Sequence, residues 1–299
     1  MPPSILTDSK LAELVRDFPG TRIDGKPCRE FLLWEDAASG MSQYYAPFEY
    51  LNQDAKLILI GITPGAGQMK VALGEAAKAL RAGNLPEDSM RIVKREASFA
   101  GNPTRSNVIR ILDGLGYNRM LKIRSCASLW AESDHLVHFT SILGNPVFTG
   151  GITSKDYTGS PLALSVPVLK RRMIEDLVPE LAQISPTAVI VPLGEPVGKS
   201  IHFLHERGLI KQRVMMFQGH VVAPPHPSGA NNELVNLLLN PSGTTADEYA
   251  IAAYQQYKLK HEQKGSTAKQ TAETYMKKRR THWNDMAFVR SAYASQALE

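Results

Sequence analysis

The sequence predicts an α/β protein, a three-layer α/β/α sandwich around a short, mainly parallel central sheet. The first observation is a set of short segments with apolar centres, the pattern of buried parallel strands: 57–62, 122–129, 187–193 and 220–223. The second observation is that helical patterns lie between these segments. Strands that alternate with helices imply a parallel sheet that is covered by helices on both faces.

Apolar spacing and helix-terminating residues predict three helices between the strands. Over 104–116, apolar residues recur three and four positions apart, and Gly116 stands where a helix-ending glycine is expected. A second apolar stripe covers 168–184, where Pro179 predicts a kink or a restart of the helix. A third helix is expected to open at Glu195, because the proline that follows it suits a first helical turn.

The C-terminal part of the chain is predicted to be a helical extension. We expect the α/β domain, with an N-terminal extension, to cover residues 1–242 and the helical extension to cover 243–299. Helical patterns occupy 246–261 and, after a break at 264–267, a final segment that carries the basic run 277–280. The extension has too few apolar residues to fold alone, and a short basic run is typical of a solvated helix face.

Composition excludes several classes of protein. The net charge of +5 over 299 residues is mildly basic, which suits a polyanionic partner. The two cysteines, Cys28 and Cys126, form no CxxC pair, so we expect neither a metal site nor a cysteine-ligated cluster, and no cofactor is implied. The N-terminus lacks the apolar core of a signal peptide, and no apolar run approaches the roughly 20 residues of a membrane span. We therefore expect a cytoplasmic protein with no membrane partner and no obligate protein partner.

Two loops stand where an open α/β sheet binds its ligands, beyond the carboxyl ends of the strands. The first, 61–69, directly follows a predicted strand; its glycines let a ligand approach the backbone, and Pro64 stiffens the turn. The second, 224–231, holds His226 between prolines, and its Ser228 is suited to contact a phosphate.

Together the two loops resemble the signature loops of the uracil-DNA glycosylase superfamily. In that superfamily one strand runs into a G-x-[D/N]-P-G loop and a late strand runs into an H-P-S loop, as in 61–65 and 226–228 here. Three features between the loops also match: the segment 98–101 with its phenylalanine, a predicted strand end at Ser125, and a helix–strand–glycine unit over 177–194. The resemblance covers roughly residues 55–232. The order of five features is more specific than either loop alone.

The resemblance implies a monofunctional DNA glycosylase, which flips a base out of DNA and hydrolyses its N-glycosidic bond to leave an abasic site. His226 matches the family histidine that stabilises negative charge on the departing base. Thr63 stands where many members hold the attacking water. The base would contact Ile62, the ring of Phe99 and, at the base-reading position, Ser125. Contacts with duplex or single-stranded DNA are expected from Gly65, Gly67, Gln68, Ser228 and Asn231.

Two positions depart from the uracil-specific pattern. Thr63 replaces an Asp or Asn and is not a general base near neutral pH, so Glu96 and Asp156, from flanking loops, are candidates for that task. Ser125 is shorter than the base-reading asparagine of relatives. Such a pocket is expected to discriminate weakly for uracil and to admit a bulky base. The resemblance offers a setting for this, because bacterial antiphage glycosylases excise hypermodified cytosines such as glucosylated hydroxymethylcytosine.

Other functions stay open at this point. Uracil repair is the alternative substrate hypothesis, and the threonine at position 63 also permits a catalytically inactive module that binds modified DNA. The glycines of 61–67 would also suit an enzyme that binds a nucleotide or phosphate. The segment 194–200 is not a phosphate-binding P-loop, because only three residues separate its glycines and Pro196 removes an amide from the cradle.

Overall fold

A computed structural model describes residues 4–18, 28–83, 86–150, 155–239, 243, 245–263 and 271–295. The strands in these residues are β1 (Leu32–Asp36), β2 (Met41–Tyr44), β3 (Leu57–Gly61), β4 (Val137–Ser141), β5 (Val147–Thr149), β6 (Lys155–Asp156), β7 (Val189–Pro192), β8 (Arg213–Val214), β9 (Met216–Phe217) and β10 (His220–Val221). The α-helices are α1 (Ser9–Arg16), α2 (Ala66–Arg81), α3 (Pro86–Ala97), α4 (Thr104–Gly114), α5 (Tyr117–Met120), α6 (Pro167–Arg172), α7 (Val178–Ala182), α8 (Glu195–Glu206), α9 (Asn232–Leu239), α10 (Ala246–Gln263) and α11 (Ala272–Ser295).

The centre of the fold is a four-stranded parallel sheet in the order β4-β3-β7-β8. Leu57 of β3 pairs with Val137 of β4 on one side and with Val189 of β7 on the other, and both neighbours run parallel to it. Every residue of β3 is buried, as expected for a strand that has helices on both faces. The predicted α/β class and the predicted parallel sheet are confirmed.

Successive side chains of β3 enter two different cores, because side chains alternate across a strand. Leu57 and Leu59 belong to a core that is completed by α4, α9 and α11. Ile58 and Ile60 belong to a second core that is completed by α6, α7 and α8. The parallel sheet therefore lies between two helical layers.

The strand predicted over 122–129 is wrong. Lys122 has a φ of 57°, and Cys126–Trp130 form a 3-10 helix. The carboxylate of Asp113 accepts hydrogen bonds from the Ser125 hydroxyl and from the backbone amide of the next residue, both at 2.7 Å. Polar side chains that satisfy local backbone groups in this way favour a capped turn over a strand.

The strand that pairs with β3 on this side is β4, which the apolar pattern missed. Two of its residues, His138 and Thr140, are polar and hydrogen-bond the carboxylate of Glu180 at 2.8 and 3.0 Å. The predicted strand 220–223 is also placed wrongly, because it contributes only β10, which pairs antiparallel with β9 outside the parallel sheet. The two residues of β8 pair with β7 in its place.

A second sheet, which the sequence analysis did not predict, is antiparallel and has the order β1-β2-β5-β6. Its residues Tyr44 and Phe148 share a third core with α1, α2 and α3. The last strand of this sheet, β6, brings Asp156 next to the start of α2.

The three helices predicted between the strands are confirmed. Gly116 follows α4 with a φ of 88°, the left-handed conformation that glycine adopts at helix ends. The segment predicted as one kinked helix forms α6 and α7, which are joined by a π-helical stretch, Met173–Leu177, directly before Pro179. α8 begins at Glu195 and has Pro196 in its first turn.

The two helical patterns predicted for the C-terminal extension correspond to α10 and α11. α11 takes part in the first core through Met286, Val289 and Ala292, and the hydroxyls of Tyr117 and Tyr293 lie 2.9 Å apart. The predicted break at 264–267 and the residues 240–242 at the predicted domain boundary lie outside the described residues. None of the described helices has both the length and the apolar character needed to cross a membrane.

Candidate functional site

A cleft of about 2300 Å³ opens beyond the carboxyl ends of β3, β4 and β7. This is the edge at which parallel sheets bind their ligands. Ligand pockets usually measure roughly 300–1,000 Å³, so this cleft has room for more than a single small group. Near the sheet its walls are formed by both loops identified in the sequence and by the end of β4, including Gly61, Thr63, Phe99, Ser141, Asn145, Gly194 and His226.

Thr63 ties the first loop to the segment that follows β4. Its hydroxyl donates to the carbonyl of Asn145 at 2.9 Å and accepts from the amide of Val147 at 3.1 Å. A hydroxyl has one proton to donate, so this proton is not available to a water or a substrate in the present conformation. Thr63 lines the cleft, but its polar atom holds two loops together.

The carboxylate of Asp156 lies against the end of the same loop. Its Oδ1 accepts the amide of Ala66, the first residue of α2, at 3.1 Å. Its Oδ2 would stand only 2.9 Å from a Cβ added to Gly65, so a side chain there would collide with the carboxylate. The unpaired amides of a helix N-terminus favour a negative charge at this position. Asp156 is exposed and lines the cleft.

The second loop presents His226 to the cleft as a hydrogen-bond donor. The amide of Ser228 donates to Nδ1 of His226 at 3.3 Å. Because Nδ1 is an acceptor, the neutral ring carries its proton on Nε2. Burial lowers the pKa of His226, which favours this neutral ring at pH 7.

Gly194, directly after β7, allows His226 to lie close to the sheet. A Cβ added to Gly194 would stand 3.0 Å from Cβ of His226, and the φ of 102° at this position favours glycine. The amide of Gly194 also donates to the carbonyl of Pro224 at 2.8 Å. This glycine therefore sets the position of the histidine.

Gly159 closes the wall of the cleft between the two loops. A Cβ added to it would stand 2.9 Å from Pro196 of α8 and 3.2 Å from Cδ1 of Ile62. Ile62 is buried in the second core and also lines the cleft. Through these contacts the turn after Asp156, the first loop and the start of α8 form one continuous wall beside His226.

Phe99 lies at the floor of the cleft in a strained backbone conformation. Its φ of 52° is rare for a residue other than glycine, and such strain costs about 1–3 kcal/mol. Its amide donates to Oε1 of Gln68 at 3.2 Å, and its ring lies 3.5 Å from where a Cβ on Gly61 would stand. The ring meets Phe139 edge to face, with a centroid distance of 6.3 Å. Phe99 is thus a core residue whose ring also lines the cleft.

Two asparagines brace the second loop. Nδ2 of Asn231 donates to the carbonyl of His226 at 3.0 Å, and Nδ2 of Asn107, on α4, donates to the carbonyl of Pro227 at 2.9 Å. The tip of the loop, at Gly229 and Ala230, is exposed and small. Asn231, which the sequence analysis assigned to DNA, is therefore placed to hold the loop in shape.

The structure does not bring all of the predicted site residues together. Ser125 begins a 3-10 helix instead of ending a strand, and its hydroxyl donates to Asp113 rather than lining the cleft. Gly67 is exposed in the first turn of α2. Of the two candidate carboxylates, Glu96 pairs with Arg95 away from the cleft, whereas Asp156 lines it.

Ser141 and Asn145 stand at the strand end for which the sequence analysis proposed Ser125. Both line the cleft. Oδ1 of Asn145 accepts the amide of Ala46 at 3.1 Å, whereas its Nδ2 has no acceptor among the residues that the structure describes. Sequence reasoning missed both residues because it missed β4. The one signal available was the Gly-Asn-Pro turn at 144–146, which follows an apolar run.

A buried polar network supports β4 beneath the cleft. Nζ of Lys94, a side chain that is 4% exposed, lies 3.5 Å from Oε1 of Glu180, and the same oxygen lies 2.8 Å from Nε2 of His138. Nδ1 of His138 accepts the amide of Asn52 at 3.3 Å. Burial and the neighbouring ammonium of Lys94 lower the pKa of His138 to about 4. The network joins α3, β4 and α7 and fixes the edge strand of the sheet.

Fold and site together define an α/β protein with a cleft at the carboxyl edge of a parallel sheet, furnished with a neutral histidine donor, a carboxylate and an aromatic ring. Over 190 residues the chain is 36% identical to the uncharacterized protein YoxB of Bacillus subtilis (strain 168). The alignment covers 63% of this chain and 71% of YoxB, and the chain belongs to the same family as that protein. No family model matches the chain, and no solved structure matches it.

Proposed function

We propose that this protein is a DNA glycosylase of the uracil-DNA glycosylase superfamily. The proposal rests on His226, which lies between two prolines in a loop that lines the cleft. Its neutral ring carries a proton on Nε2 and can donate it in a hydrogen bond. Breaking an N-glycosidic bond leaves negative charge on the departing base, and a preorganised donor that is aimed at this charge accelerates the reaction. The order of the G-x-T-P-G and H-P-S loops along the chain supports the same assignment.

In the proposed reaction, the target nucleotide leaves the base stack and enters the cleft. The ring of Phe99 stacks on the base, and the hydrogen bond of its amide to Gln68 and the contact of its ring with Phe139 keep the ring in place before the base arrives. The bond between C1′ and the base nitrogen breaks with its electron pair going to the base, while His226 donates a hydrogen bond to it. Water adds to C1′ and loses a proton to solvent, and the departed base takes up a proton from solvent, which gives an abasic deoxyribose and the free base.

The proposed partner is DNA that opens easily or is single-stranded. The tip of the H-P-S loop carries only the small residues Gly229 and Ala230, so it lacks the large apolar wedge that proteins insert to unstack a duplex. Ser228 lines the cleft close to this tip, where it is suited to contact a phosphate. The net charge of +5 favours a polyanion, although a charge of this size is also common in proteins that bind none.

The proposed substrate is a base with a bulky polar substituent, of the kind found in glucosylated hydroxymethylcytosine of phage DNA. The cleft, at about 2300 Å³, exceeds what one unmodified base fills. Ser125, the predicted base-reading residue, does not line the cleft, and the side-chain amide at that strand end is the one of Asn145, whose Oδ1 already accepts the amide of Ala46 and is not available to read a base edge. In this proposal the protein serves antiviral defence, and the alternative substrate is uracil in ordinary repair.

One observation favours a second function, a non-catalytic module that binds modified DNA. Thr63 stands at the position that holds the attacking water in relatives, and a hydroxyl does not act as a general base near neutral pH. The nucleotide-binding alternative is disfavoured. The first amide of α2, which would bind a phosphate, is already taken by the Asp156 carboxylate, whose negative charge repels a phosphate.

The test is to incubate the purified protein with three DNAs: one containing uracil, phage DNA with glucosylated hydroxymethylcytosine, and unmodified DNA. Abasic sites are then scored by alkaline cleavage of the strands. We expect abasic sites in the glucosylated DNA and none in the unmodified DNA. Cleavage of uracil DNA alone would support the glycosylase function and would identify uracil, instead of the glucosylated base, as the substrate. Tight binding of the modified DNA with no abasic sites would establish the non-catalytic module instead.

A further inference from the structure

The carboxylates that line the cleft differ in the hydrogen bonds and ion pairs that they already form with the rest of the protein. Glu180 is held by Lys94 and His138 in the buried network. Glu195 forms an ion pair with Lys199 at 2.6 Å. Asp156 differs from both, because it contacts the first loop and lies on the wall shared with His226. Among the described residues, the remaining carboxylates that line the cleft are Glu49, Glu175, Asp176 and Asp285.

The two oxygens of Asp156 have different surroundings. Oδ1 accepts the first amide of α2, as described above. Oδ2 accepts no hydrogen bond from the described residues, and it lies beside Gly65, where a side chain would exclude it. One oxygen therefore anchors the carboxylate, and the other has no hydrogen-bond donor among the residues that the structure describes.

The chain that follows this carboxylate is tied to its neighbours. The amide of Tyr157 donates to the carbonyl of Val147 at 3.0 Å. Gly159, three residues after the aspartate, has a φ of 92°, and a Cβ added to it would meet both Ile62 and Pro196. Asp156 is thus held against the first loop by the amide of Ala66, in a stretch of chain whose path is set by close packing, which is what positioning a reactant requires.

We infer that Asp156 is the catalytic residue that holds and deprotonates the attacking water; this rests on the proposed glycosylase function. The side chain of Thr63 does not supply this group, since a neutral hydroxyl is too weak a base to take a proton from water near pH 7. In the step, the bond between C1′ and the base nitrogen breaks and its electron pair leaves with the base. The carboxylate stabilises the positive charge that develops on the sugar. The water oxygen bonds to C1′, its proton passes to Oδ2 and then to solvent, and the base takes a proton from solvent.

The test separates this chemistry from helix capping by using two variants of one residue. Asp156→Asn keeps an oxygen that accepts the amide of Ala66 but removes the charge and the base. We expect its single-turnover rate of base release to fall about 10²–10³-fold, with an unchanged melting temperature and an affinity for the same DNA no lower than that of the wild type, because the variant loses a charge that repels phosphate. Asp156→Ala removes the cap as well, so we expect a similar loss of rate together with a melting temperature lower by roughly 2–4 °C.

Glu96→Gln is the matched control, because Glu96 is the other carboxylate indicated by the sequence and it lies away from the cleft. Its rate is expected to equal that of the wild type. A rate for Asp156→Asn within about threefold of the wild-type rate would overturn the inference about Asp156. The proposed glycosylase function would still stand in that case, because the wild type releases the base. Failure of the wild type to release a base from any of the three DNAs would overturn both.

Discussion

The first loop and the second loop face each other across the cleft, and their signature residues are used in opposite ways. The polar atom of Thr63 is taken up by two backbone hydrogen bonds. In the second loop, the backbone takes up Nδ1 of His226, and its Nε2–H has no acceptor among the described residues. Thr63 thus stabilises the structure of the first loop, whereas His226 keeps a hydrogen-bond donor for a ligand in the second.

The position of a side chain in a motif therefore does not by itself determine what the side chain does. The hydrogen bonds that it already makes determine which of its atoms remain for a ligand, because a buried polar group is nearly always paired. The same reasoning separates Oδ2 of Asp156, which has no hydrogen-bond donor in the described part of the chain, from the carboxylate of Glu180, which is enclosed by its partners.

The largest effect is expected for His226→Ala. Loss of a preorganised donor at a developing negative charge typically reduces the rate about 10²–10³-fold, so base release should fall by this amount. The fold should remain intact, since the loop is also held by Asn231 and Asn107. The measurement is single-turnover release of base from the DNA that the wild type cleaves. His135→Ala is the control, because His135 is exposed and away from the cleft; equal rates for the two variants would remove His226 from the mechanism.

A smaller effect, about tenfold in rate, is expected for Gly194→Ala. The new Cβ would stand 3.0 Å from Cβ of His226 and would push the ring away from its position; displacements of about 1 Å in a catalytic group cost up to roughly 10²-fold. Gly208→Ala is the matched control, because Gly208 also has a positive φ, 63°, but has nothing within 4 Å of an added Cβ. Both variants should lose stability in thermal denaturation. A loss of rate in both, or in neither, would show that the contact with His226 is unimportant.

A change of stability rather than of rate is expected for Thr63→Val. The substitution keeps the shape of the side chain but leaves the carbonyl of Asn145 and the amide of Val147 without their partner. Each such loss costs about 1–3 kcal/mol when the group is buried, and less here because Thr63 is half-buried. We expect a free energy of unfolding lower by about 1–2 kcal/mol in urea. Thr63→Ser should retain both bonds, and a rate loss in Thr63→Val as large as that of His226→Ala would return Thr63 to the chemistry.

The sequence was informative where a pattern is local. β3, β7, α4 and α8 were predicted from apolar spacing, and Gly116 and Pro196 mark the helix ends where they were expected. Local patterns are reliable there because the strands are buried on both faces and the helices carry one apolar stripe.

The sequence was misleading where distant residues decide the structure. β4 has polar side chains that face the buried Lys94–Glu180 pair, so its pattern does not look apolar, and a capped turn at Ser125 was mistaken for it. The second sheet escaped notice because its strands have two to five residues each and because the pairing of β2 with β5 joins residues about 100 positions apart in the chain. The sequence also did not show which of the two flanking carboxylates lies at the first loop. The fold places Asp156 there through β6, at the edge of the second sheet.

The smallest effect, on the salt dependence of DNA binding, is expected for the basic run of α11. Within this run some side chains form ion pairs with the fold and others do not. Arg279 is paired with Glu233 and Arg280 with Asp247, so these two cations are already occupied by the fold. Lys277 is exposed and forms no ion pair with a described residue. It precedes Thr281 by one helical turn, and Thr281 lines the cleft.

Lys277 therefore lies on the helix face that continues the wall of the cleft, where a DNA strand leaving the site would pass. One phosphate contact contributes about 0.9 to the slope of log K against log salt for duplex DNA and about 0.7 for a single strand. We expect Lys277→Gln to lower the slope by about this amount, measured by fluorescence anisotropy over a salt titration. Lys258→Gln, an exposed position on α10, should leave the slope unchanged. If both variants keep the wild-type slope, the basic run is a solvated helix face, and DNA enters the cleft along another wall.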